Sequence, residues 1–211
     1  MPSVRLVPST YSLSNTSLTI SNANNMYTNT DSTTYGRCGT TSSNSRYLYL
    51  RGFNFGSVPS DAVVTSFTIK IKANESSLST STNYRPYLVN NTTTLTGTFS
   101  VITTTVTTQS CTGITADWDT ISGYGSNFGI RFTVRSSSNN TQGYLYVYGA
   151  EILVEYYVPV YHTVLASSLV QGVSVTPTST QVLEGEDLTI TIDVDDIGDY
   201  VVTDNGDDVT N

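Results

Sequence analysis

The chain has 211 residues and a net charge of −8, but only 12% of its residues are charged and just 9 are Lys or Arg. No basic stripe can therefore neutralise a nucleic-acid backbone, and no apolar run of about 18 residues is present to span a bilayer. Ser (28), Thr (36) and Asn (16) dominate, yet 15 Tyr and 6 Phe at strand-like spacing point to a soluble all-β protein, while one His and one Trp leave little for a metal centre or His-dependent catalysis.

The opening Met1-Pro2-Ser3-Val4-Arg5 lacks the charged and apolar regions of a secretory leader. Predicted strands then run through the chain: residues 4–7, 17–20, 46–54, 67–73, 84–89, 99–108, 130–135 and 144–157. The cleanest are Phe67-Thr68-Ile69-Lys70-Ile71-Lys72-Ala73 and Ile130-Arg131-Phe132-Thr133-Val134-Arg135. In both, apolar residues hold one parity and polar residues the other, as on a half-buried strand. Clusters of Ser, Thr, Asn and Gly between the strands read as turns, with Pro59 presetting a turn dihedral and Gly125 and Gly129 permitting sharp bends. One helical turn fits residues 117–121, capped by Asp117 or Thr115. About eight strands with long, irregular connections predict an antiparallel β-sandwich over residues 1–157, jelly-roll-like rather than immunoglobulin-like.

Residues 158–170 read as a linker, and a second pattern starts after it. Val173-Ser174-Val175-Thr176-Pro177 precedes Gln181-Val182-Leu183-Glu184-Gly185-Glu186-Asp187, and Leu188, Ile190, Ile192 and Val194 then share a face. This resembles the first two strands of a bacterial immunoglobulin-like module spanning residues 171–211. A full module needs roughly 100 residues, so the expectation is that more chain follows or that the segment completes a neighbour's sheet. Charge divides at the same place. Residues 1–166 carry all nine bases and seven acids, a net +2, whereas residues 167–211 carry ten acids and no base.

A resemblance attaches to Tyr47-Leu48-Tyr49-Leu50-Arg51-Gly52-Phe53-Asn54-Phe55-Gly56-Ser57-Val58-Pro59-Ser60-Asp61-Ala62-Val63-Val64. The run resembles a recurrent β-sandwich domain of bacteriophage virion proteins and bacterial surface proteins, in which a Gly-Phe-x-Phe strand leads into a Pro-Ser turn and a further strand. Tyr124-Gly125-Ser126-Asn127-Phe128-Gly129-Ile130-Arg131-Phe132 and Tyr148-Gly149-Ala150-Glu151-Ile152-Leu153-Val154-Glu155-Tyr156 are similar to its closing strands. The likeness covers most of residues 10–157 and its motifs are structural. It implies a module of a capsid decoration, head fibre or tail fibre, in a virion or on a bacterial surface, with other virion proteins, copies of itself and host surface glycans as partners.

Candidate site residues follow from ring chemistry. Tyr144, Tyr146 and Tyr148 share a parity with Ala150, Ile152 and Val154, which places the later positions in the core, and Tyr47 and Tyr49 form a similar pair. Exposed rings stack on the apolar faces of sugars, while a tyrosine at a core edge serves packing and sends its hydroxyl to water. Trp118, between Asp117 and Asp119, is either a loop anchor or a sugar-stacking residue. Glu151 and Glu155 would lie roughly 13 Å apart on one strand, beyond the separation of a glycosidase pair unless their long side chains converge. In the acidic tail Asp193, Asp195 and Asp199 have calcium-loop spacing but lack the flanking helices of an EF-hand. Cys38 and Cys111 are bridged or free. The expectation is a non-enzymatic, oligomeric structural protein without cofactor, and the alternatives are a carbohydrate-binding adhesion module and a polysaccharide-degrading enzyme.

Overall fold

The computed structural model describes residues 1–76, 78, 85–168, 172–194, 203–204 and 207–208. The chain divides into two units, Met1–Val158 and Pro159–Asn211. The described residues of the first form eleven strands: β1 (Ser3–Leu6), β2 (Thr10–Leu13), β3 (Thr19–Ser21), β4 (Gly36–Thr40), β5 (Arg46–Arg51), β6 (Val63–Ser76), β7 (Tyr87–Asn90), β8 (Thr93–Thr98), β9 (Thr107–Ser110), β10 (Phe128–Val134) and β11 (Gly143–Tyr157). The α-helix among its described residues is α1 (Trp118–Gly123).

The pairing of β4 to β11 is nested. β7 pairs with β8, β6 with β9, β5 with β10 and β4 with β11, all antiparallel, as if one long hairpin turning after Asn90 had been rolled up. Rolling yields two sheets, β3-β4-β11-β6-β9 and β2-β5-β10-β7-β8, with β1 completing the first beside β11. This is the double Greek key of a jelly roll, and the unit is an all-β antiparallel sandwich. The alternating runs read from the sequence supply the core: Ile69, Ile71 and Ala73 on β6 and Ile130, Phe132 and Val134 on β10 are all buried. Leu48, Leu50, Leu88, Val147 and Ile152 join them in one cluster.

Three differences from the sequence reading have physical causes. Residues 99–106 are not a strand; Phe99 and Ile102 enter the core from a loop, so burial without a ladder accounts for this apolar, β-branched stretch. Strands β2, β4 and β8 carry few large apolar residues and went unpredicted, because β4 (Gly-Arg-Cys-Gly-Thr) and β8 (Thr-Thr-Leu-Thr-Gly-Thr) look like turns outside their sheet. Gly129 does not bend the chain: it lies within β10, where a Cβ would come 2.7 Å from the Leu50 carbonyl oxygen, so close approach to β5 demands glycine there. Gly125 does take a left-handed turn, with φ +53°.

In the second unit the stretch read as a linker carries a strand. β12 (Tyr161–Leu165) pairs antiparallel with β14 (Ser179–Leu183), so the strand pattern begins before residue 171. β13 (Val173–Thr176) pairs with β15 (Thr191–Val194), bringing together the two runs read as opening strands, with Val175 opposite Ile192. Leu188 and Ile190 precede β15 rather than belong to it. β16 (Thr203–Asp204) and β17 (Asp207–Asp208) form a third ribbon.

Candidate functional site

The side on which a tyrosine emerges is set by strand register. On the first half of β11, Leu145 and Val147 point into the core opposite Glu75 and Ala73 of β6. The register then slips between Val147 and Gly149, and after it Ala150, Ile152 and Val154 point inward. A β-bulge at Tyr148 has thus exchanged the two faces. The shared parity of the three tyrosines with Ala150, Ile152 and Val154 consequently misleads: Tyr144, Tyr146 and Tyr148 lie on the outer face of the sheet.

The bulge is held by a strap. Ala150 N–H donates to the Thr28 carbonyl at 3.0 Å and the Thr28 hydroxyl donates to the Tyr148 carbonyl at 2.7 Å. Gly149 has no Cβ because one would sit 2.1 Å from the Asn29 carbonyl oxygen. Further along the strap Thr30 Oγ1 donates to Glu151 Oε1 at 2.9 Å, Lys72 Nζ donates to the Ser32 carbonyl at 2.8 Å, and Arg5 binds Asp31. That contact holds the Asp31 carboxyl below its ordinary range. Glu151 is only 2% exposed, while Glu155 is exposed and accepts from Ser66 Oγ at 2.7 Å. The two carboxylates thus occupy different environments, one enclosed by the strap and one open to solvent.

Beside the strap, four tyrosines form one aromatic patch. Tyr35, from the segment before β4, meets Tyr146 edge-on at 5.0 Å and Tyr148 at 5.3 Å; Tyr144 lies 6.1 Å from Tyr146. The Arg37 guanidinium covers the Tyr144 ring at 4.5 Å and Lys72 stands 5.7 Å from the Tyr148 ring. Burial, then Tyr35 and Tyr146, push the Tyr148 hydroxyl above its ordinary value. Sequence reading missed Tyr35, Arg37 and Lys72, since only the register of β11 with β4 and β6, strands distant in sequence, brings them there.

Trp118 belongs to a different place. Asp117 caps α1 by accepting from Thr120 N–H at 2.8 Å, which holds its carboxyl below the ordinary range. The helix lays the indole against Phe55 at 5.6 Å and Phe67 at 5.8 Å. A cleft of about 670 Å³ opens there, with Val58, Pro59, Ser60, Asp119 and Ser122 in its walls. Trp118 is therefore both an anchor and the aromatic wall of a cleft, and it is not joined to the tyrosine patch by any ring contact.

The second sheet has an aromatic outer face of its own. Arg131 lies between Tyr49 and Tyr87 in register, and its guanidinium stands over Tyr47 at 5.0 Å and over Tyr87 at 5.4 Å. Arg51 covers Tyr49 at 5.0 Å, and Tyr47 and Tyr49 are 6.3 Å apart. Desolvation lowers the Arg51 pKa from its ordinary value. None of the five strands of this sheet contains an Asp or Glu.

Among the described residues no cluster of three or more His, Cys, Asp or Glu side chains could hold a metal ion. Of the tail carboxylates, Asp193 sits on β15 opposite Ser174 and is exposed, while Asp195 and Asp199 lie outside the described residues. Cys38 and Cys111 are free and buried, and desolvation pushes both thiols up to about 12. Cys38 is on β4 and Cys111 follows β9, with β11 and β6 between them. Three strand spacings amount to roughly 14 Å, beyond the reach of a disulfide. No described helix is long and apolar enough to cross a membrane. No protein-family model, curated protein or solved structure matches the chain.

Proposed function

We propose that the chain is a non-enzymatic structural protein of a bacteriophage virion, a capsid decoration or a component of a head or tail fibre, that assembles through the faces of its β-sandwich. The observation that carries this reading is that both sheets turn outward a set of tyrosines interleaved with Arg or Lys. Tyr and Arg are enriched in protein–protein interfaces because they supply large contact area, hydrogen bonding and planar charge with few rotors. The resemblance of residues 47–64 to virion domains supports the same assignment. Mass spectrometry and cryo-electron microscopy of purified particles test it: the protein is expected at a copy number matching a symmetry of the particle. Its absence from washed particles removes the reading.

A second reading, a carbohydrate-binding adhesion module for host surface glycans, is favoured by the Trp118 cleft. An aromatic wall beside Asp119, Ser60 and Ser122 offers a stacking plane and acceptors for sugar hydroxyls. Binding on a glycan array that is lost in Trp118→Ala and kept in Tyr146→Ala supports this use of the cleft. No binding by the intact protein overturns it.

A further inference from the structure

The two units of the chain are opposite in charge. All nine bases lie in residues 1–158 and all ten acids beyond Glu155 lie in residues 159–211. Within the first unit the cations are unevenly matched. The sheet containing β11 mixes Arg37, Lys70 and Lys72 with Glu75, Glu151 and Glu155, whereas the sheet containing β10 has arginines and no carboxylate. On the outer face of that second sheet Tyr87, Arg131 and Tyr47 form a run of ring, guanidinium and ring that continues through Tyr49, itself only 8% exposed beneath its neighbours, to the Arg51 guanidinium.

Both arginines are held in place without being used up. Arg131 donates from Nη1 to the Thr92 carbonyl at 3.5 Å and from Nη2 to Thr94 Oγ1 at 3.0 Å, while Arg51 donates to the Asn127 and Asn91 carbonyls. Each guanidinium has five N–H donors, so carbonyl and hydroxyl contacts fix its plane and leave others to offer. Neutral acceptors also leave the charge uncompensated: among the described residues neither Arg51 nor Arg131 is ion-paired with a carboxylate. A planar cation fixed between tyrosine rings is a receptor for a carboxylate.

Carboxylates are presented in the second unit by the turn after β14. Glu184-Gly185-Glu186-Asp187 is exposed throughout, and Gly185 takes φ +88°, which lets the chain reverse and project the acids on both sides of it. Backbone bonds from Glu184 N–H to the Val160 carbonyl and from Glu186 N–H to the Leu183 carbonyl fix the turn.

We infer that the Tyr47–Arg131–Tyr87 and Tyr49–Arg51 face of one copy docks the acidic Glu184–Asp187 turn of a second copy of this chain. The contact joins different patches, so it is heterologous and propagates head to tail unless the rotation between copies closes a ring. It is one assembly step of the function proposed above and rests on self-assembly alone, so absence from virus particles would leave it intact.

Sedimentation velocity on the full chain, across a concentration series at about 50 mM and about 500 mM salt, tests this contact. Concentration-dependent association is expected at low salt and weakens at least about tenfold at high salt. The triple change Glu184→Lys, Glu186→Lys and Asp187→Lys, confined to an exposed turn, abolishes it. The pair Arg51→Glu and Arg131→Glu also abolishes it, and mixing the two variant proteins restores association between them. That rescue keeps the test valid against misfolding, because an unfolded partner rescues nothing. A wild-type protein that stays monomeric at low salt, association indifferent to salt, or association untouched by the turn substitutions overturns the inference.

Discussion

The two units of the chain are both built from antiparallel ladders, yet they differ in what the ladders enclose. In Met1–Val158 the sheets close over a dry core that includes Phe99, Phe128, Phe132, Met26 and a dozen or more aliphatic side chains. In Pro159–Asn211 none of the described residues is buried, and Leu165 and Ile190 are largely open to solvent. Backbone pairing exchanges water hydrogen bonds for protein ones at small net gain, while burial of apolar area supplies the main drive. A two-stranded ribbon without a covered face is marginal by itself. Among the described residues the buried apolar area that drives folding therefore lies in the first unit.

The largest contrast is expected from matched truncations. Phe132→Ala empties a fully buried site on β10 and is expected to cost about 3–5 kcal/mol in urea unfolding. Ile192→Ala, at a half-buried position on β15, is expected to cost under about 1 kcal/mol. Equal costs would mean that the second unit has a core of its own, and the comparison would collapse.

A smaller effect separates two regions of the first unit. Gly149→Ala drives a methyl into the Asn29 carbonyl of the strap and is expected to cost about 1–3 kcal/mol. Gly123→Ala, where a Cβ meets nothing within 4 Å, is expected to be neutral or slightly stabilising. If Gly149→Ala is equally silent, the strap does not hold the bulge and the outward placement of Tyr144, Tyr146 and Tyr148 loses its support.

The smallest effects concern the thiols. Cys38 and Cys111 are expected to resist a thiol reagent at about pH 8 until the first unit unfolds, since only the thiolate reacts. Burial raises both from an ordinary 9.0 to about 12, so the native state keeps protons that the unfolded chain gives up. Their contribution to stability is complete below pH 9 and is lost as the pH climbs towards 12. Cys38→Ala should make this alkaline decline shallower in a pH series of urea midpoints. An unchanged decline would assign it to other groups.

Much of the fold was legible because period-2 alternation is a local signal. Residues 67–73 and 130–135 announce β6 and β10, and their inward faces form the core as read. The Asp117 cap and its helical turn were legible for the same reason, a short-range hydrogen bond to Thr120. β4 was not: its neighbours Leu145 and Ile20 make Gly36, Arg37 and Gly39 a strand. Of the candidate site, the sequence named the three β11 tyrosines and Trp118 as aromatic candidates, and the structure places all four at half-buried positions in two separate groups. Tyr35 and Arg37 join Tyr144 and Tyr146, while Trp118 joins Phe55 and Phe67 around another opening.

By itself the sequence determined the all-β class, the inward residues of the regular strands and the charge step near residue 160, because each depends on residue type at short spacing. Only the tertiary structure decided which way Tyr144, Tyr146 and Tyr148 face. A strand shows opposite sides at successive residues, so one inserted residue reverses everything before it, and the residues that stabilise the insertion, Thr28 and Asn29, lie more than a hundred positions away. The same holds for Arg131 between Tyr47 and Tyr87: three strands distant in sequence must pair in register before a run of isolated rings and cations becomes a surface.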